Sequence, residues 1–340
     1  MNSPPDLSVV IPVFNRGKLV RHTLDSVRAA SAGLSVETVL VDDGSEVPLA
    51  DDLALLGLHA DRLIRQENQG LLFARLAGLK YATGRSVLFL DSDDLVSRDK
   101  LRAHIEAHAA GADVAYSDTA RQHLPADGPV GEPTHDLTLP ETNDPADFFI
   151  KVQPAPHSPS FATEWLRTRV ANALFAPSHL YNPVAEIWFY HICAPFAGRV
   201  VKCAGRAIIG EHAGGRLTNH WERLAVASLA VQEGFMRTCP KSVEGLRAGE
   251  YFSAKAFGSW RRLPRGFSEE FCRRQLALYL LNPCKPSVAS LGGGIFGAAA
   301  RVLGVVTAGR LFRLRNGSYE SCRTVDDETF SSLMNALPPP

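Results

Sequence analysis

Three carboxylates fall within four residues at the end of one apolar run: Asp91, Asp93 and Asp94 close the stretch VLFLDSDDLV, residues 87–96. Carboxylates set side by side repel each other and resist burial, so a positive partner is expected among them. A D-x-D pair on a loop after a strand is one way to hold Mg²⁺ or Mn²⁺, hard cations that take oxygen ligands and leave room for substrate phosphates. Asp91 and Asp93 are therefore the candidate metal ligands. Asp94 reads more simply as a cap for the helix expected near residue 98, since acids favour that end. Taken alone, D-x-D is a weak motif. A second acidic pair, Asp42 and Asp43 in VLVDDGS, ends another apolar run, and Asn15 ends a third, LSVVIPVFN.

The elements that must position these groups alternate along the first 120 residues. LSVVIPVF (7–14) is apolar and β-branched, as in a strand buried on both faces. RGKLVRHTLDSVRAA (16–30) carries Leu19, Val20, Leu24 and Val27 on one helical stripe, with Asn15 placed to cap it. Strands are expected at 37–45, 61–65, 86–90 and 113–117, and helices at 49–56, 70–82 and 98–110. Such alternation means βαβ units and a mainly parallel sheet, with ligands beyond the carboxyl ends of the strands. Asn15, Asp42 and Asp43, and Asp91 and Asp93 should then converge on one crevice. Residues 124–160 are proline-rich and read as a long irregular connection, of the kind that is usually functional or mobile. Helices near 162–174 and 184–194 and strands at 199–203 and 207–210 follow. The last hundred residues read as helical, in the basic segment 261–281 and the apolar, small-residue-rich segment 290–315.

Composition narrows the classes. The 340 residues carry no formal net charge, are 45% hydrophobic and 21% charged, and fit one large α/β domain with an appendage or two domains. No global charge footprint for nucleic acid is present. The six cysteines form no CxxC pair and no zinc-like spacing, which suits reduced thiols. No secretory signal and no spanning helix are evident, so a cytoplasmic protein is expected. A dinucleotide-binding enzyme is excluded by the first turn: PVFNRGK stands where G-x-G-x-x-G would be. A nucleotidyltransferase would call for a glycine- and basic-rich loop there, and only Arg16, Gly17 and Lys18 are offered.

VVIPVFNR, VLVDDGS, ENQGLLFAR and FLDSDD, in this order and spacing, resemble the family 2 glycosyltransferases. The resemblance is strong over residues 6–120 and weak to about 220. It implies the GT-A fold, a Rossmann-like mixed, mainly parallel sheet flanked by helices. It also implies a glycosyltransferase domain over 1–220, with a nucleotide-binding half at 1–120 and an acceptor half at 121–220. A helical extension would fill 221–340. By the same resemblance Pro12, Val13, Phe14 and Asn15 lie beside the donor base, Asp42 accepts a hydrogen bond from it, and Arg75 and Asp91 contact the nucleotide. Asp91 and Asp93, with His212 of GEHAGG, stand near a Mn²⁺ or Mg²⁺ ion; a purely structural role for that lone histidine stays open. The implied reaction is an inverting transfer from a nucleotide-sugar, UDP-linked by expectation, to a hydroxyl of a glycan or lipid-linked saccharide.

Two features depart from that pattern. The family commonly carries an E-D pair before an aromatic residue, whose aspartate is the base; here VAEIWFYH supplies Glu186 but Ile187, which cannot take a proton. Glu186 is the expected base. The alternatives are a register off by one, an acid from elsewhere with Glu186 only a helix-start acid facing solvent, or a weak or inactive domain that binds nucleotide-sugar or glycan without transfer. Gly210 stands where the family has an arginine before His212. Separately, the apolar C-terminal helices are bordered by Arg261, Arg262, Arg265, Arg273, Arg274, Arg310, Arg313 and Arg315. Two readings stand: helices that cover the catalytic domain with their arginines solvated, or peripheral contact with the cytoplasmic membrane face.

Overall fold

A computed structural model describes residues 3–125, 128, 130–212 and 220–339. The chain divides into two compact units, Met1–Phe148 with Val152–Ala173 and Gly198–Gly214, and Phe149–Lys151 with Leu174–Ala197 and Gly215–Pro340. The expected boundary near 220 differs from this division, in which residues 174–197 join the C-terminal helices.

The first unit begins with β1 (Leu7–Val13), α1 (Val20–Ala30), β2 (Val36–Asp42), α2 (Leu49–Leu56), β3 (Arg62–Arg65), α3 (Leu71–Tyr81) and β4 (Ser86–Phe89). It continues with β5 (Leu95–Val96), α4 (Lys100–Ala109), β6 (Val114–His123), β7 (His135–Leu137), β8 (Pro159–Ala162), α5 (Thr163–Ala171) and β9 (Val200–Glu211). The described strands form one sheet in the order β3-β2-β1-β4-β8-β6-β9-β5, with β7 beside β6. Pairing is parallel from β3 through β4 and between β6 and β9, and antiparallel at β8, β5 and β7. The chain steps from β1 to β2 and β3 on one side, then returns through α3 to β4 on the other. The carboxyl ends of β1 and β4 therefore flank a topological switch point, where ligands of open α/β sheets bind.

The strand period sorts β1 between two faces. Leu7, Val9, Ile11 and Val13 join Val20, Leu24 and Val27 of α1, Leu49 and Leu53 of α2 and Leu101 of α4 in one buried cluster. Each such side chain contributes about 1.5–3 kcal/mol by leaving water. Val10 faces α3, which approaches closely because Gly78 has no side chain: a Cβ there would lie 2.2 Å from Val10 Cγ1.

Three local expectations change. Asn15 does not cap α1. The helix starts at Val20 after a turn, and Asn15, at φ 52°, belongs to the loop before it. The two short strands expected at 199–203 and 207–210 are one strand, because β9 follows β6 along its length, with a register shift between Tyr116 and Asp118. The irregular connection hides β8, four residues that insert antiparallel between β4 and β6; a strand that short and led by proline carries no period to read.

Beneath the sheet runs a buried polar network. The Lys100 Nζ donates to Ser158 O at 2.7 Å and lies 3.0 Å from His104 Nε2. His104 also meets Ser117 and Ser160 Oγ, each at 2.7 Å. Burial pushes the lysine down to about 7, with Cys203 and Asp99 opposing, and holds His104 well below the usual imidazole range.

The second unit holds α6 (Ala185–Cys193), α7 (Trp221–Thr238), α8 (Val243–Arg262), α9 (Glu269–Leu280), α10 (Val288–Leu291), α11 (Gly294–Leu303), α12 (Val305–Arg313) and α13 (Asp327–Asn335). Within the basic segment 261–281, α8 stops at Arg262, and Ser268 caps α9 by accepting from Phe271 N–H. Arg274 is no surface charge either. It grips Glu233 with two bonds of 2.8 and 2.6 Å, both side chains buried. No described helix is long and apolar enough to cross a membrane, and all six cysteines are free thiols.

Candidate active site

Each strand end at the switch point delivers polar groups. Pro12 and Val13 are buried in β1, and the chain then turns outward, leaving Phe14 47% exposed. An aromatic face held open at a strand mouth can stack a planar ring. Asn15 ties this turn to the next loop: its N–H donates to Ser45 Oγ at 3.0 Å, and its Oδ1 accepts from Glu46 N–H at 2.9 Å.

The positive charge that the D-x-D pair demands comes from the chain itself. Arg75, on α3 and almost wholly buried, donates through Nη2 to Asp91 Oδ1 at 2.5 Å. Asp93 Oδ2 lies 2.8 Å from His212 Nε2 and 3.3 Å from Arg16 Nη1, and Arg16 Nη1 lies 2.9 Å from the same histidine nitrogen. The expected three-ligand set is thus split: His212 faces Asp93, whereas Asp91 faces Arg75. Among the described residues, no three His, Cys, Asp or Glu side chains gather to hold a metal. The donors present still suit Mg²⁺ or Mn²⁺, which are held by one or two carboxylates plus phosphates, and both aspartates keep 20–25% of their side chains exposed.

Asp42 has more internal work than a base contact implies. Its Oδ1 accepts from Ser45 N–H at 2.9 Å, and its Oδ2 from Leu49 N–H at 3.0 Å and from the Arg65 guanidinium. It therefore caps α2 from a distance. Burial pushes this carboxyl up, but the Leu49 and Ser45 amides and Arg65 outweigh it and hold it below the usual range. Asp43 serves α3 in the same way, accepting from Gln69 N–H at 3.0 Å and Gly70 N–H at 2.8 Å. Arg65 keeps 47% of its side chain exposed and also donates to Ser45 O at 2.9 Å. A fixed guanidinium thus stands at the carboxyl end of β3.

Asp94 is not the helix cap expected of it. It is buried, accepts from Gly210 N–H at 2.9 Å and lies 2.9 Å from His157 Nδ1. The latter contact is off the line of a good hydrogen bond. Burial raises this carboxyl, His157 opposes the rise, and Asp91 and Asp93 add to it. The same geometry explains Gly210: a Cβ there would fall 2.0 Å from the Asp93 carbonyl oxygen, so no arginine fits. Residues 213–218 of the weakly resembling stretch lie outside the described residues.

Glu186 stands in the first turn of α6, half-buried, with Ile187 beside it. Arg16 and Arg65 are candidate site residues that the sequence does not single out: Arg16 reads there only as part of a phosphate loop, and nothing in a four-residue edge strand marks Arg65.

Residues 8–132 match the family model described as Glycosyl transferase family 2. The succinoglycan biosynthesis protein ExoO of Rhizobium meliloti is 38% identical over 125 residues, 35% of this chain and 36% of that protein. The minor teichoic acid biosynthesis protein GgaA of Bacillus subtilis is 32% identical over 103 residues, 28% and 23% of the two chains. The chain thus spans about a third or less of the curated relatives it matches. Among solved structures, residues 1–349 of S. aureus TarS in complex with UDP-GlcNAc superpose with a TM-score of 0.61 at 16% identity, over 94% of this chain and 93% of that one. The mannosyltransferase PcManGT from Pyrobaculum calidifontis, in complex with GDP-Man and Mn²⁺, gives 0.50 at 16% identity, over 92% and 84%. These two likenesses bear on the fold, which is that of GT-A enzymes with a helical C-terminal region. The likeness to glycosyl transferase family 2 thus lies in residues 8–132 of the chain.

Proposed function

We propose that the protein is a metal-dependent inverting glycosyltransferase that moves a sugar from a nucleotide-sugar to a hydroxyl of a glycan or lipid-linked saccharide. One observation carries the reading: at the switch point of a family 2 sheet, Asp91 and Asp93 stand opposite Arg75 and Arg16. Carboxylates and guanidiniums together suit a metal-bound diphosphate, which needs an ion on one side and charge-assisted donors on the other.

In this reading Phe14 and Asn15 flank the donor base, and Pro12 and Val13 fix the strand end behind them. Asp42, already holding Ser45, Leu49 and Arg65, uses a remaining lone pair for a base N–H. Asp91 and Asp93 would hold a divalent cation, with His212 beside Asp93, and such an ion would supply positive charge to the departing nucleoside diphosphate. Glu186 takes the proton of the acceptor hydroxyl as it attacks the anomeric carbon from the face opposite the leaving group. A UDP-linked donor is favoured by family resemblance and by the UDP-GlcNAc bound to TarS, while the GDP-Man bound to PcManGT marks the competing base. A cell-envelope saccharide is the acceptor class of choice, given the succinoglycan and teichoic acid relatives.

A second reading, a domain that binds nucleotide-sugar without transferring it, rests on Ile187. Calorimetry and turnover with a panel of UDP- and GDP-sugars plus Mn²⁺, on wild type, Asp93→Ala and Glu186→Gln, separates the two. The transferase reading expects metal-dependent binding that Asp93→Ala abolishes. It expects Glu186→Gln to bind normally and turn over about 10²–10⁴-fold more slowly. Binding without turnover in wild type supports the second reading, and no donor binding at all refutes both.

A further inference from the structure

The C-terminal helices present an outward face that the inward packing does not need. Helix α11 buries Phe296 and Ala300, and α12 buries Ala308 and Gly309. These residues pack on Phe257 and Trp260 of α8: Phe296 lies 6.0 Å from the Phe257 ring, and Gly309 lets α12 approach Trp260. The opposite side is apolar as well. Ile295 is 75% exposed, Val302 83%, Leu311 47% and Leu314 65%. Ile295, Ala298 and Val302 follow one another at helical spacing, so they form a stripe rather than scattered points. A helix that is apolar all round is not made for water alone.

Charge says what covers this face. Residues 271–319 contain no Asp or Glu. Several of the arginines bordering the helices are absorbed by packing: Arg274 by Glu233, Arg261 over the Phe296 ring at 4.2 Å, and Arg313 over the Trp260 ring at 5.2 Å. Arg301, Arg310 and Arg315 stay exposed beside the apolar stripe. At 10 and 9 residues, α11 and α12 are too short to span a bilayer. Short helices with an apolar outer stripe and a purely basic border lie in the headgroup layer of an anionic membrane.

We propose that the α11–α12 face is a peripheral docking surface for an anionic lipid bilayer, with Ile295 and Val302 entering the acyl boundary and Arg301, Arg310 and Arg315 meeting lipid phosphates. This does not rest on the glycosyltransferase reading, because every residue involved belongs to the C-terminal helices.

The test is flotation of the full chain with vesicles of 30% phosphatidylglycerol in phosphatidylcholine, and with phosphatidylcholine alone, at low and high salt. Wild type is expected to float with the anionic vesicles and much less with the neutral ones, and high salt should weaken the binding. Ile295→Asp/Val302→Asp should abolish flotation. Arg301→Gln/Arg310→Gln should lower affinity about fivefold per arginine. These positions are exposed, so thermal melts should match wild type. Wild type left in the pellet fraction with anionic vesicles overturns the proposal, as does undiminished flotation of the variants. A wild type that does not float and is dimeric, with a monomeric Ile295→Asp/Val302→Asp variant, overturns it too and makes the face a contact between two copies.

Discussion

Arg75, on α3, is 1% exposed and donates through Nη2 to Asp91 Oδ1 at 2.5 Å, in the loop after β4. A buried guanidinium is tolerated only with a fixed acceptor, and a carboxylate in an acidic cluster needs a fixed cation. The pair therefore pins the first acid of the D-x-D motif before any ligand arrives.

Removing one partner of that pair leaves the other unmatched. Arg75→Met should lower stability by about 3 kcal/mol, the lower end for a broken buried pair because Asp91 faces water on one side. It should also abolish measurable donor binding. Arg75→Met/Asp91→Asn should recover part of the stability and none of the binding. Denaturant midpoints and calorimetry on the two variants separate the roles, and equal stability of all three proteins would show that the pair does not hold the loop.

Arg16 is a different kind of cation. It is 24% exposed and touches the oxygen of Asp93 that also faces His212. A guanidinium and a divalent cation compete for one carboxylate oxygen. Arg16→Ala should therefore tighten Mn²⁺ binding in the absence of nucleotide and weaken donor binding in its presence, each by about 5–10-fold. Electron paramagnetic resonance of Mn²⁺ reads the first effect without any turnover. Weaker Mn²⁺ binding in the variant would mean that Arg16 orders Asp93 rather than competing for it.

These contrasts mark what the sequence makes legible. The βαβ alternation, the strand-end acids and the family motifs are local patterns, and the sheet brings them together because parallel strands share one carboxyl edge. The partners of those acids are not local. Arg16 meets His212 across 196 residues, and Asp94 meets Gly210 across 116. Asp94 reads as a helix cap because its true partner, β9, comes back beside it only in the folded sheet. Gly210 looks like the loss of an arginine until the Asp93 carbonyl is seen to fill the place of a side chain. Asp42 and Asp43 look interchangeable with any turn, yet each caps a different helix through backbone amides that spacing alone does not reveal.

The network at Lys100 yields a pH dependence with a definite sign. The amine is buried with a value of about 7, raised slightly by Cys203 and Asp99 and lowered chiefly by burial. His104 faces it from its own helix and Ser158 from the loop before β8, and Ser117 of β6 meets His104 in turn. In the unfolded chain a lysine titrates near 10.4. Between these values the unfolded state binds a proton that the folded state does not, so stability must rise with pH. His104 and His108, both lowered by burial, act in the same direction but chiefly below about pH 7. Cys203, raised by burial, acts oppositely as the unfolded thiol ionises near pH 9. From about pH 7.5 to 8.5 the lysine dominates among these four and should add about 1 kcal/mol. Lys100→Met removes the titrating group, and its curve over that interval should be flatter by the same amount. Denaturant unfolding of both proteins at the two pH values decides it: parallel curves would mean that Lys100 stays charged in the fold, held by Ser158 O and its neighbours rather than neutralised.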